Sequence, residues 1–393
     1  MGIAKNDWIM CDERGYGHCE NYVCRDCIGN KSLQEYIKNN GHMGICYYCH
    51  KRRKVITIEE LLKPIMSGIR FEYDEAVNCL GYQDGEYVGK TYDTHDLIHD
   101  EIIDELMIDN ESILSDLVNT IDDIIWCKTN PYSEKEYETE FYSWQSFCKL
   151  VKNHKRYMFY KSNNIINPYD LSNPVNILDI IGEHIQGINL IKRIPINERI
   201  YRGRMHRNNE CLNSFQDFAP PPNNKAKANR MSAEGIPLFY AAFDNETVLA
   251  EIGGNLDRVT IANFTPQRNL TVINLSKLKT LKLPSIFDES NRHKRSAITF
   301  LKLFEEEISR KIDDSPAIEY VPTQIVTEYF RYVFESKKYG QIDGIIYNSS
   351  QIEDKKCIVL FMNNTDYFDD KKCLVNKLSM RLSIYKKEYS WTL

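Results

Sequence analysis

Residues Arg230 to Ile252 read RMSAEGIPLFYAAFDNETVLAEI, and the rest of the chain can be placed around this stretch. Gly235 and Pro237 punctuate a turn, and Leu238 to Ala242 form an apolar run of strand length. Asp244 or Asn245 stands where a helix beginning near Glu246 needs its cap. Turn, buried strand and helix in immediate succession bring Arg230, Tyr240 and Glu251 near one another. On a helical wheel Val248, Leu249 and Ile252 make the apolar face, and Glu251 falls about 60° from Val248, at the edge of that face. A carboxylate half-buried there either pairs with a cation and serves structure, or has its proton affinity tuned and does chemistry.

The chain has 393 residues, a length that calls for two or three domains. Net charge is −6, from 50 basic and 56 acidic residues, so no overall field favours nucleic acid or an anionic membrane. No run approaches a membrane span, and the first residues, MGIAKNDWIMCDE, lack an apolar signal core, which reads as a soluble cytoplasmic protein. Of twelve cysteines, six lie before residue 50, a clustering that points to metal rather than to disulfides.

Cys24-Arg-Asp-Cys27 and Cys46-Tyr-Tyr-Cys49 are two CxxC knuckles with eighteen residues between them, the spacing of a four-thiolate tetrahedral zinc site. Four thiolates leave no open position, so the zinc is structural. Between the knuckles, Ser32 can cap a helix over Leu33 to Asn40 that Gly41 ends. Cys11, Cys19, His18, His42 and His50 are further candidates for a zinc site, and Lys51-Arg52-Arg53-Lys54 reads as a solvated basic turn.

From Thr57 the pattern is helical, opening on a capping box with Glu60, and Pro64 predicts a short or kinked first helix. Further helices are expected over Thr94 to Met107, Ser112 to Trp126 and Glu134 to Tyr157, with Trp126, Trp144, Phe147, Val151 and Tyr157 supplying core. Asn163 to Asn176, with Pro168 and Pro174, reads as a connection.

In the second half, Glu198 to Arg204 alternates as a strand that puts Tyr201 opposite Arg202 and Arg204. These arginines with Lys225, Lys227 and Arg230 form a positive run that suits bidentate contacts to a pyrophosphate. Leu270 to Leu275 and Cys357 to Met362 read as strands, and Ser296 to Arg310 and Pro322 to Glu335 as helices. Asp343-Gly344 reads as a turn before the strand Ile345 to Tyr347, which delivers Ser349 and Ser350. With no Gly-x-Ser-x-Gly elbow and no adjacent histidine, those serines are hydrogen-bonders, not nucleophiles.

Arg230, the turn Gly235-Ile236-Pro237, Phe239-Tyr240 and Ala250-Glu251 resemble the core motif of the RES domain, named for an arginine, a glutamate and a serine. Ile200-Tyr201-Arg202 upstream and Asp343 to Ser349 downstream match two further elements in order and distance. The paired knuckles, Tyr92-Asp93-Thr94, Trp126, Trp144 to Phe147 and Val151 to Tyr157 resemble the HEPN-like amino-terminal domain that accompanies some RES domains. HEPN nucleases carry an arginine closely followed by a histidine. Here Arg156 is the only arginine of the block after Arg70 and no histidine follows it in that window, which speaks against an RNase site.

The resemblance implies an α+β chain: a zinc-binding knuckle over 1–56, a helical HEPN-like domain over 57–190, and a RES domain over 191–393 with a fold similar to ADP-ribosyltransferases. It implies cleavage of NAD at the nicotinamide–ribose bond by phosphorolysis or hydrolysis, in a bacterial toxin or anti-phage effector. Arg202 and Arg230 would bind the pyrophosphate or incoming phosphate, Tyr240 would stack on nicotinamide or ribose, and Glu251 would hold the ribose hydroxyls and stabilise developing positive charge. Ser349, preferred over Ser350 by the family spacing, would hydrogen-bond the amide or ribose. The partners implied are NAD, phosphate or water, with room for an antitoxin or regulatory protein and for a homo-oligomer. Two other readings stay open: an ADP-ribosyltransferase acting on a macromolecule, and a non-catalytic zinc-dependent binding module.

Overall fold

Phe239–Ala242, Gly344–Asn348 and Lys356–Leu360 are apolar at nearly every position, as strands covered on both faces must be. The structure, a computed structural model, describes residues 11, 13–158, 176–206, 212, 214–253, 258–309, 317–363, 380–383 and 388–390. The connection read over 163–176 lies, apart from Asn176, outside the described residues. The chain is α+β and falls into two compact units, residues 1–134 with 283–295 and residues 135–282 with 296–393.

In the first unit the knuckles are framed by a three-stranded antiparallel sheet in which Arg52–Thr57 lies between Tyr22–Cys24 and His42–Ile45. The basic run read as a solvated turn is thus largely strand, because Val55 and Ile56 are fully buried and draw the segment onto the sheet. The intervening helix, Lys31–Asn40, is capped by Asn30, whose Oδ1 accepts from the Ser32 and Leu33 amides at 2.9 and 3.2 Å, and not by Ser32. Ile58–Glu72 opens on the expected capping box of Thr57 and Glu60 and runs through Pro64 for fifteen residues.

Two expected helices differ. The segment from Thr94 is broken into Thr94–Asp96, a wide π turn over Leu97–Glu101, and Ile103–Leu106. The wide turn lets Leu97, Ile98, Ile102 and Leu106 all bury in one core. The next helix, Glu111–Thr120, stops short, since Asp122 and Asp123 follow at its carbonyl end where negative charge is unfavourable. Trp126 then sits in a short strand opposite Glu75, with its indole N–H on Thr94 Oγ1 at 3.1 Å. Residues 283–295 complete this unit from far along the sequence. Ile286 and Phe287 enter its core, and Arg292 Nη1 donates to the Ser67 carbonyl at 2.7 Å.

The second unit is built on a nine-stranded sheet. Its strands are β1 (Ile191–Ile194), β2 (Ile200–His206), β3 (Phe239–Ala242), β4 (Arg258–Pro266), β5 (Leu270–Asn274), β6 (Gly344–Asn348), β7 (Lys356–Leu360), β8 (Met380–Ser383) and β9 (Glu388–Ser390). The order is β8-β4-β2-β3-β7-β6-β5-β1, with β9 also on β4. β5 and β6 are parallel, and the other neighbours pair antiparallel. One face, carrying Ala242, Ile345, Tyr347, Cys357 and Val359, shares a core with the helices α1 (Glu136–Asn153), α2 (Ile177–Gly187), α4 (Arg295–Ser309) and α5 (Val321–Tyr332). The opposite face holds Phe239, Phe264, Ile346, Ile358 and Leu360. Trp144, Phe147 and Val151 are buried as expected, but α1 ends at Asn153 and Tyr157 is 86% exposed.

Asp343 and Gly344 do not form a free turn. Asp343 is buried in a two-pronged pair with Arg268, both N–O distances being 2.7 Å, and also accepts from the Thr271 amide at 2.9 Å. This clamps the start of β6 beside β5, so the position serves register.

The helix α3 (Asn245–Ile252) is capped by Asp244, whose carboxylate accepts from the Thr247 amide at 2.8 Å. It lies against β2 at Gly203, where an added Cβ would stand 2.3 Å from Ile252 Cδ1 and 2.7 Å from Val248 Cγ1. Gly203→Ala is therefore expected to overpack this contact and cost about 1–3 kcal/mol of stability. A denaturant midpoint equal to that of the unsubstituted protein would show that α3 is free to shift.

Candidate functional site

A single register pair, Ala242 with Tyr201, joins β2 to β3 among the described residues. A cavity of about 560 Å³ opens beside that junction, lined by Tyr201 to Arg204 on one side and by Pro237, Leu238 and Tyr240 to Ala242 on the other. Arg230, Glu251 and Ser350 also line it. Arg202, Arg230, Tyr240 and Glu251, singled out in the sequence, are thus brought to one cavity. Ser349 does not line it, but its hydroxyl donates to Glu251 Oε1 at 2.5 Å. The two serines divide the work: Ser349 holds the carboxylate, and Ser350 faces the space.

The arginines differ in what they touch. Arg204 donates to the Asp217 and Ala219 carbonyls at 3.3 and 2.7 Å and so holds a loop backbone. Arg202 is 8% exposed, its guanidinium lies 4.7 Å over the Phe239 ring, and its Nη1 is buried without a hydrogen-bond partner among the described residues. Burial, and then Arg204, hold its pKa well below the usual arginine value. A buried cationic N–H with no acceptor is costly, and an anion in the cavity would satisfy it.

Arg230 sits in a tight turn whose ends exchange backbone hydrogen bonds, Asn229 N to Ser232 O at 2.8 Å and Ser232 N to Asn229 O at 3.3 Å. The first turn of α5 grips it. Gln324 Nε2 donates to the Asn229 and Ser232 carbonyls at 2.9 and 3.2 Å, and Thr323 Oγ1 donates to the Arg230 carbonyl. The Tyr240 hydroxyl ties the same turn to β3, donating to Ser232 Oγ at 3.1 Å and accepting from the Met231 amide at 3.3 Å. Burial raises the Tyr240 pKa against those bonds and the nearby Arg230 and Arg202, so it stays a phenol.

Glu251 is exposed rather than half-buried, with its carboxylate turned to the cavity mouth. Behind it runs a row set by strand register, Ala242 opposite Cys357 and Cys357 opposite Tyr347. The Cys357 thiol also lines the cavity, and burial, then the Glu251 charge, push its pKa up. It stays a protonated thiol and is not a nucleophile. Burial likewise keeps Tyr347 protonated. Cys357, Tyr347, Thr323 and Gln324 escaped the sequence reading. Only Tyr347 carried a signal, lying within the Asp343 to Ser349 element, because the rest reach the site through register or tertiary contact.

In the first unit the Cys24, Cys27, Cys46 and Cys49 sulfurs all lie within 4.8 Å of one another, three of the separations being 3.6, 3.6 and 3.8 Å. Metal–sulfur bonds of about 2.3 Å in a tetrahedron set sulfurs about 3.8 Å apart, so the four fit one metal ion. Burial pushes the Cys24 thiol up to about 11, and a bound cation would offset that cost of four thiolates. Cys11, Cys19, His18, His42 and His50 do not join this group.

Residues 39–165 match the family HEPN/RES N-terminal domain 1, and residues 199–383 match the RES domain family. No curated protein and no solved structure matches the chain. The second match spans every residue that lines the cavity, from Tyr201 to Cys357. Among the described residues no helix is long and apolar enough to cross a membrane.

The grip of α5 on the Arg230 turn has a measurable consequence. Gln324→Leu should remove one of the two hydrogen bonds that each of these carbonyls accepts and cost about 1–3 kcal/mol in all, with amide exchange at Asn229 and Ser232 rising more than in β5 or β6. Unchanged exchange at those two amides would refute the role given to Gln324.

Proposed function

From a chain that carries a RES domain behind a HEPN/RES N-terminal domain, and thus belongs to a family associated with NAD-processing enzymes, we propose an enzyme that cleaves NAD at the nicotinamide–ribose bond. The observation that carries this reading is the buried, unpartnered Nη1 of Arg202 in a cavity that also presents the Glu251 carboxylate. NAD matches both poles, with an anionic pyrophosphate at one end and a cationic pyridinium next to the scissile bond at the other.

The chemistry asks little of the protein. The glycosidic electron pair leaves on the pyridinium nitrogen, neutralising it, so no general acid is needed. The ribose becomes oxocarbenium-like and is captured by water or phosphate. Glu251, oriented by Ser349 and backed by the Cys357 thiol, meets the developing positive charge and the ribose hydroxyls. Arg202 and Arg230 bind the pyrophosphate or the incoming phosphate, and the ring of Tyr240, fixed through its hydroxyl, supplies a stacking face. The four amino-terminal thiolates would hold a structural zinc ion, which supplies stability to that unit and no chemistry to this cavity. Depletion of NAD fits a cytoplasmic toxin or defence effector restrained by an antitoxin or regulatory partner.

Incubating the purified protein with NAD, with and without phosphate, and resolving the products should give nicotinamide together with ADP-ribose or its 1″-phosphate. Label appearing only on a macromolecular acceptor would instead favour ADP-ribosyl transfer. Glu251→Gln should lower kcat about a hundredfold or more with KM little changed, because it removes charge that acts only in the transition state. Arg230→Ala should chiefly raise KM. A Glu251→Gln protein cleaving NAD at the unsubstituted rate would remove the assignment. About one zinc per chain should copurify, and fall in Cys24→Ser and Cys46→Ser variants on metal analysis. Unchanged zinc in both would exclude the site.

A further inference from the structure

Outside the cavity and the four-cysteine cluster, the first unit places a thiol, an imidazole and a carboxylate in line. Cys11 Sγ is 3.5 Å from His18 Nε2, and His18 Nδ1 is 2.9 Å from Glu59 Oε2. Glu59 lies in the first turn of the helix Ile58–Glu72 and is fixed from its other oxygen by Arg14 Nη1 at 2.7 Å. Arg14 is itself anchored on the Tyr16 and Gly17 carbonyls at 2.7 and 2.9 Å, and its Nη2 reaches Cys11 Sγ at 3.4 Å. Gly15, at φ +79° with its amide on the Cys11 carbonyl, turns the chain so that His18 returns against Cys11. The Cys11 thiol is partly exposed, and the His18 side chain is 51% exposed.

This is the geometry in which a carboxylate fixes the tautomer and direction of an imidazole that takes a proton from a thiol. An Arg14–Glu59 ion pair serving structure alone would need neither the histidine between thiol and carboxylate nor a guanidinium N–H on the sulfur. We propose that Cys11 is a reactive thiol, activated by His18 and Glu59, that exchanges with low-molecular-weight disulfides and is alkylated by soft electrophiles. In the exchange the S–H proton passes to His18 Nε2, and the sulfur pair attacks one sulfur of the disulfide. The S–S bond breaks, and its electrons leave on the departing thiolate, which takes the proton from His18. Cys11 is thereby oxidised to a mixed disulfide, and one equivalent of the small thiol is formed. Neither knuckle cysteines nor the NAD-site residues take part, so the assignment stands or falls independently of the proposed function.

The test uses the full-length, metal-loaded protein with limiting iodoacetamide, and reads labelling at each cysteine by peptide mass spectrometry. Cys11 should label at least about tenfold faster than Cys19, which is also partly exposed. His18→Gln should slow Cys11 by about tenfold while leaving Cys19 unchanged. Oxidised glutathione should add a single glutathione mass to the protein, and none to Cys11→Ser. Equal labelling of Cys11 and Cys19 in the unsubstituted protein would overturn the proposal without recourse to any variant. Cys11 labelling that appears only after a chelator strips metal would overturn it too, making Cys11 a metal ligand.

Discussion

The candidate site exists because two adjacent strands stay together for one register pair. β2 and β3 meet at Ala242 and Tyr201, and the backbone groups beyond that pair flank a cavity instead of continuing a ladder. Everything around it compensates. β2 finds its long partner on the other side, pairing with β4 from Ile200 to His206, and β3 finds its own in β7. The segment between β2 and β3 is in turn held by side chains, through Arg204 on the Asp217 and Ala219 carbonyls and Gln324 on the Arg230 turn. Parting the strands without those bonds would leave backbone donors and acceptors unsatisfied at the edge of a core.

Within that gap the chain tolerates a local instability. Arg202 is buried beside a second arginine, with the Phe239 ring as compensation on one face. Nothing in folding favours such a group, and its orphaned Nη1 is the kind of defect that function retains and stability alone would remove. Arg204, two residues on and on the same face, shows the alternative, a guanidinium satisfied by carbonyls and serving only its loop. Strand alternation puts both on one face, so periodicity alone grouped them in the positive run, and only the family resemblance picked out Arg202.

How much was legible in the sequence follows from how local each cause is. The capping box at Thr57, the cap at Asp244, the α5 start at Pro322 and the apolar runs of β3 and β7 depend on near neighbours and read directly. The Arg52–Thr57 strand was misread because its basic residues hid two buried positions, and the break after Thr94 because four buried residues matched a helical stripe only approximately. In the site, Arg230, Tyr240 and Glu251 come from one turn-strand-helix unit and could be grouped by eye. Cys357 could not, since it stands behind Glu251 only through the β3–β7 and β6–β7 registers, and Gln324 acts through a helix nearly a hundred residues beyond the turn it grips. The carboxylate of Glu251 was expected to be half-buried and is exposed, because the short helix that bears it ends one residue later, at Ile252.

Residues 283–295, set within the core of the first unit by Ile286 and Phe287, give the chain a path that leaves one unit at 134, returns to it at 283 and departs again after 295. Synthesis from the ribosome therefore cannot finish the first unit until residue 295 has emerged. By then β1 to β5 have already been made, whereas β6, β7 and the connection between them, which supply Tyr347, Cys357 and Ser349, have not. The order of emergence lets the amino-terminal unit close before the carboxylate at the cavity acquires the neighbours that orient it, so that a chain released between residues 295 and 344 would carry a complete core in its first unit and no assembled site in its second.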